Sequence, residues 1–147
     1  MKEVEVAARA LGLQVQLQDV RSLSELDSAF ASMTGKGADA VFVVSSSVAM
    51  IHRVRMAQHA AKSRLPTMCT WHEYAEAGCL MSHSVAQPDL WRRAAYFVGR
   101  ILKGAKPAEL AVEQPTKFEL VINLKTAKAL AVTIPPSLLL RADRLIE

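Results

Sequence analysis

Lys103-Gly-Ala-Lys-Pro-Ala-Glu-Leu-Ala-Val-Glu-Gln-Pro-Thr-Lys-Phe-Glu-Leu-Val-Ile-Asn-Leu-Lys-Thr-Ala-Lys-Ala-Leu130 joins a helix end, a strand and a helix start. Gly104 stops the first helix, and Pro107 and Pro115 punctuate the connection that follows. Phe118–Ile122 reads as a strand, and Asn123 or Thr126 can cap the next helix. Ile134-Pro-Pro-Ser137 ends that helix ahead of a last amphipathic segment.

Working outward, helical and strand periods alternate along the chain. Val4, Ala7, Ala8 and Leu11 share one helical face, which Gly12 closes. Val15–Val20 alternates apolar and polar residues as a half-buried strand does. A helix with Leu26, Phe30 and Met33 inward follows, broken at Gly35-Lys-Gly37. Ala40–Val44 is an unbroken apolar run, the pattern of a parallel strand covered on both faces. Ser45–Ser47 caps a helix with Met50, Ile51, Val54, Ala57 and Ala61 inward. Thr67–Thr70 and Cys79–Ser82 read as further strands, separated by a short helix at Trp71–Ala77. Pro88 opens Asp89–Lys103, with Ala94, Ala95, Val98 and Leu102 expected inward. The expected class is α/β, a parallel Rossmann-like sheet flanked by helices.

With 147 residues the chain can bury one ordinary core, and 51% hydrophobic against 22% charged residues places it among globular chains. No stretch offers the ~18 consecutive apolar residues of a membrane span. Met-Lys-Glu-Val-Glu-Val at the start carries acidic residues where an export signal needs an apolar core, so no signal is expected there. The net charge of +4 comes from Lys and Arg spread along the chain among Asp and Glu. Only His52–Arg64 clusters, without aromatics to stack on bases, so nucleic acid is not expected as a partner.

The quoted tail closely resembles the C-terminal end of ABC-transporter solute-binding proteins of the type I periplasmic-binding class. The resemblance continues through Ala38-Asp-Ala-Val41, His52-Arg53, Arg64-Leu-Pro66, Glu76-Ala-Gly78, Leu80-Met-Ser82 and Pro88-Asp-Leu90. It implies two α/β lobes with a solute in the cleft between them. By the same resemblance, residues 1–86 correspond to a second lobe lacking its first strand, and residues 87–147 to the crossover segments that brace the first lobe. Roughly half of a family member is then expected before Met1, and the chain alone, with bare strand edges, is expected to form a homodimer. A full-length member would be periplasmic; the chain as written would stay in the cytoplasm.

Ligands of open parallel sheets bind beyond the carboxyl ends of the strands, where loops and helix starts converge. Three polar groups are expected there: Ser45-Ser46-Ser47, Thr70-Trp71-His72-Glu73 and Ser82-His83-Ser84. The first suits a carboxylate or other anion, although serines before a helix also serve as plain caps. Trp71 suits stacking on a flat solute, although a half-buried Trp is equally a core residue. The resemblance places Ser45, Ser46, Trp71, His72, Ser82, His83 and Ser84 on cleft-facing loops, the last three on a loop leading across the hinge. Ser46-Ser47 stands where Asp-Pro is frequent in the family, and His83-Ser84 where Tyr-Gly is frequent, so the solute is not transferable.

Cys69-x2-His72 and Cys79-x3-His83 supply ligand types that zinc accepts. Along a strand, however, Cys79 and His83 would lie about 13 Å apart, and no metal or other cofactor is expected. No Walker loop, Gly-x-Ser-x-Gly elbow or His-Glu-x-x-His motif is present, and Cys69 with His72 lacks an orienting group. The leading reading is a non-enzymatic binding module for a small organic solute, an amino acid or carboxylate, with an ABC permease as partner. The alternatives are a small α/β enzyme with its anion site at Ser45–Ser47 and His72 or His83 as acid or base, or a dimerising fragment without ligand.

Overall fold

Three short parallel strands begin the sheet: the apolar β1 (Val41–Val43), β2 (Thr67–Cys69) and the largely polar β3 (Met81–Val85). The computed structural model describes residues 2–147. Strand β4 (Phe118–Asn123) adds antiparallel to β3, and β5 (Arg144–Ile146) adds parallel to β4, giving the order β1-β2-β3-β4-β5. Helices intervene as α1 (Lys2–Ala10), α2 (Leu26–Gly35), α3 (Ser47–Ile51), α4 (Arg53–Lys62), α5 (His72–Glu76), α6 (Gln87–Leu102), α7 (Leu124–Leu130) and α8 (Pro136–Leu139). The α/β class and the mainly parallel sheet agree with the sequence reading.

Two apolar clusters hold these layers together. Leu26 and Phe30 of α2, Met56, Ala57 and Ala60 of α4, and Tyr74 of α5 pack with Val43, Cys69 and Cys79. Leu80, Ile122, Ala127 and Ile134 form the second cluster under α7 and α8. Gly78 lets α4 come close: its φ of +114° suits glycine, and a Cβ there would lie 3.4 Å from the Ala57 Cβ.

The structure departs from the sequence reading at five places. The first is the helix after Ser45, which divides into α3 and α4. It leaves Ile51, Val54 and Ala61 exposed and buries Met56 and Ala60 beside Ala57, because the break at His52 turns the face that meets the core. Residues 15–20 form no strand, because alternation supplies a face but not a neighbour, and β1 ends the sheet with no strand among the described residues paired on its outer edge. Gln16 still ties this segment down, donating Nε2–H to the Lys36 carbonyl at 3.1 Å. The run at residues 40–44 is covered on one face only: Val43 is buried, while Phe42 and Val44 are half exposed. Helix α6 begins at Gln87 and buries none of its residues, so Ala94, Ala95, Val98 and Leu102 face water. Finally, β3 begins at Met81, which leaves Cys79 ahead of the strand and puts Ser82, His83 and Ser84 inside it, not on a loop.

Asn123 closes the second half of the fold. Its Oδ1 accepts from the Thr126 N–H at 3.0 Å, capping α7, and its Nδ2 donates to the Ala75 carbonyl at 2.9 Å. The side chain is almost fully buried, so both bonds are shielded from water. Asn123→Ala removes the cap and orphans a buried carbonyl, an expected loss of about 2–3 kcal/mol. Urea denaturation checks this; an unchanged midpoint would show that α5 and α7 do not depend on this residue.

Candidate functional site

Because β1, β2 and β3 run parallel, their carboxyl ends open on one side of the sheet. Ser45 follows β1 and Thr70 follows β2, and the two are joined: the Ser45 N–H donates to Thr70 Oγ1 at 3.2 Å. Ser45 Oγ lies 3.2 Å from the Tyr74 hydroxyl, which rises from α5 with its side chain fully buried. Burial pushes the Tyr74 phenol above its ordinary range, against a smaller opposing effect of the Ser45 hydrogen bond, and keeps it protonated. Ser46 caps α3, its Oγ accepting from the Ala49 N–H at 3.1 Å.

The start of α5 supplies the second group. Trp71 stands at the N-cap in an extended conformation, half buried against the main cluster. His72 Nδ1 lies 3.6 Å from Glu73 Oε2, beyond hydrogen-bond reach. Glu73 Oε1 accepts from Gln87 Nε2 at 3.1 Å, which links the starts of α5 and α6. His72 Nδ1 and Glu73 Oε2 are both buried without a hydrogen-bond partner.

Strand alternation divides the third group. Ser82 and Ser84 are buried on one face of β3, each with an Oγ lacking a partner. His83 is exposed on the opposite face, its ring stacked on Phe118 with centroids 5.4 Å apart and planes 6° from parallel. The structure therefore joins Ser45 to the β2 end, sets Trp71 and His72 beside it in sequence, and turns His83 away from Ser82 and Ser84. All four buried side-chain atoms without a partner among the described residues belong to His72, Glu73, Ser82 and Ser84. Such atoms are costly in a core and ordinary at a binding site.

Tyr74 and Gln87 were not visible from sequence as site residues. Tyr74 reads as a core aromatic, and only its hydroxyl, meeting Ser45 across 29 residues of chain, brings it to this corner. Gln87 precedes Pro88 as an ordinary helix start, and its tie to Glu73 is a tertiary contact. Cys69 and Cys79 are fully buried free thiols, and Cys69 is pushed well above the ordinary thiol range by its hydrogen bond with Cys79 and by burial. That disfavours a thiolate nucleophile.

Comparison with known proteins places this geometry. Residues 1–146 match the family model of ABC transporter substrate binding proteins. The chain superposes with a TM-score of 0.90 on a Streptococcus pneumonia ABC domain in complex with L-Trp, at 30% identity, covering 99% of this chain and 49% of that one. A conserved domain protein from Vibrio cholerae superposes at 0.89 with 23% identity, covering 98% and 48%. A ligand-free, open substrate binding protein with adhesive properties from Clostridium difficile superposes at 0.73 with 16% identity, covering 99% and 48%. No curated protein matches the chain. The chain spans about half the length of these solved structures. It belongs to the ABC transporter substrate binding protein family, a family of binding proteins and not of enzymes.

Among the described residues no three His, Cys, Asp or Glu side chains converge as a metal site. Chelator is therefore expected to leave the thermal midpoint unchanged, since a structural zinc supplies folding energy and its removal would lower it. Stoichiometric zinc in the purified protein would overturn this.

Proposed function

We propose that this family member is the solute-binding component of an ABC importer and takes a small organic solute, an amino acid or other carboxylate, at the carboxyl ends of β1–β3. The observation that carries the reading is the joined polar corner of Ser45, Thr70 and Tyr74, beside the unpartnered buried atoms of His72 and Glu73. The L-Trp complex of a 30% identical chain supports an amino acid as the solute class. In this reading Ser45 and Ser46 donate to the solute, Trp71 stacks on its flat part, and His72 bonds a polar group. Ser82 and Ser84 line the floor on the α5 side, and His83 belongs to the rim with Phe118.

Catalysis has less support. His83 lies on the opposite face of β3 from Ser82 and Ser84, and Cys69 is held as a thiol. Closure over the solute calls for a second lobe, and the solved structures are about twice as long as this chain. Delivery to a membrane permease from the periplasm completes the proposed role. No helix among the described residues is long and apolar enough to cross a membrane.

Titration of the isotope-labelled chain with an L-amino-acid mixture tests the proposal. The amides of Ser45, Thr70, Trp71 and His72 are expected to shift together, and His72→Ala to weaken binding by about tenfold. Shifts confined to other faces of the molecule, or none at millimolar solute, would reject it.

Self-association is the second part of the reading. Trp91 (66% exposed), Val98 and Leu102 (81%) of α6 present an apolar stripe to water, as do Phe42 and Val44 near the bare edge of β1. The isolated chain is expected to scatter light as a two-fold dimer at micromolar concentration. A monodisperse 16.1 kDa species would show that neither stripe drives association.

A further inference from the structure

Helix α5 carries candidate site residues at one end and is gripped at the other. Trp71, His72 and Glu73 stand at its start, where Trp71 makes no side-chain capping bond. Its far end is held from 48 residues further along the chain. Asn123 Nδ2 donates to the Ala75 carbonyl and Thr126 Oγ1 to the Gly78 carbonyl, both at 2.9 Å. Both directions are fixed, because a carbonyl oxygen only accepts. The Asn123 amide is fixed as well, since its Oδ1 takes the Thr126 N–H. Arg144 also pairs with Glu76, but both side chains are about half exposed, where an ion pair contributes little.

The grip reaches the site through the backbone of α5. The Ala77 N–H donates to the Glu73 carbonyl at 3.1 Å, and the Cys79 N–H to the Tyr74 carbonyl at 2.9 Å. The residues under the grip are therefore the ones that keep Glu73 and Tyr74 in place. In a helix of five residues, opening the last turn leaves too few hydrogen bonds to keep the first. From the site side there is little to compensate: His72 Nδ1 and Glu73 Oε2 have no hydrogen-bond partner among the described residues, and Gln87 holds only Glu73 Oε1.

We infer that Thr126 and Asn123 are positioning residues for solute binding, which clamp the carboxyl end of α5 and so set the orientation of His72 and Glu73 at its amino end. This rests on the solute-binding reading above and adds to it the distant residues that orient the site. Neither residue meets the solute in that reading. Ile122 pairs with Met81 at the start of β3, so Asn123 and α7 lie toward the amino ends of the parallel strands, away from the carboxyl ends where the solute is placed.

Thr126→Val keeps the shape of the side chain and removes the hydroxyl, whereas Thr126→Ser keeps the hydroxyl. Both full chains are compared with wild type well below their thermal midpoints, by calorimetric titration with common L-amino acids and by amide hydrogen exchange without solute. Thr126→Val is expected to bind the tightest of them about tenfold more weakly, as for one buried carbonyl left unpaired, and Thr126→Ser to bind like wild type. In Thr126→Val the Ala77 and Cys79 amides should exchange about tenfold faster, while amides paired between β3 and β4 keep their rates. A lowered thermal midpoint with unchanged affinity and unchanged α5 exchange would mean a merely structural role and overturns the inference. Unchanged affinity with fast α5 exchange overturns it too, since α5 would then loosen without consequence for the solute. If Thr126→Val does not fold, Thr126→Ala is judged by the same two measurements. If wild type binds no amino acid, the solute class proposed above falls, and exchange still decides on the clamp: unchanged Ala77 and Cys79 rates overturn it, and faster rates uphold it.

Discussion

A helix of five residues has no stability of its own in water, because nucleation fixes more backbone than its few hydrogen bonds repay. Helix α5 is such a helix, and it sits where most of the fold meets. Tyr74 and Ala75 are completely buried in it. Its carbonyls and side chains are engaged from five directions. Ser45 of the β1 end meets Tyr74, Gln87 of α6 meets Glu73, and Asn123 of β4 holds the Ala75 carbonyl. Arg144 of β5 pairs with Glu76 at 2.7 Å, and Thr126 of α7 donates to the Gly78 carbonyl just beyond the helix at 2.9 Å. Tertiary contacts, not helix propensity, determine that α5 exists.

Those contacts reach α5 from both halves of the chain. The β1 and β2 ends approach it from the amino-terminal side, and β4, α7 and β5 from the carboxyl-terminal side. Any change in how α5 sits therefore moves Ser45 on one side and Gln87 on the other. Gln87 begins α6, a sixteen-residue helix with no buried residue. The starts of α5 and α6 are thus tied by a single hydrogen-bonded pair, Glu73 and Gln87.

The sequence made the local elements legible and left the long-range ones obscure. Apolar runs at Val41–Val43 and Phe118–Asn123 are dense enough to mark strands without their partners. Residues 15–20 carry an equally good alternation, but a strand is a pairing, and period-2 patterning does not supply the neighbour. The antiparallel joining of β4 to β3 and the addition of β5 link residues far apart, and no periodicity reports them. The amphipathic stripe of α6 was read correctly as a stripe; that it meets solvent is a property of what packs on it. Of the candidate site residues, Ser45, Ser46, Trp71 and His72 could be named from sequence because polar residues after apolar runs mark strand ends. Tyr74 was hidden because an aromatic in a helical face is ordinarily core, and here it is core with a hydrogen-bonded hydroxyl.

The two polar groups at the strand ends differ in how firmly they are held. At the β1 end every inward contact is made: Ser45 is bonded to Thr70 and Tyr74, and Ser46 to Ala49. Groups so fixed lose little freedom on meeting a ligand, and preorganised donors discriminate by geometry. At the β2 end His72 Nδ1 and Glu73 Oε2 stand 3.6 Å apart with neither satisfied. Unsatisfied buried polar atoms gain from any partner that reaches them. The β1 end is thus held by a closed set of hydrogen bonds, whereas the β2 end keeps two buried polar atoms without a partner.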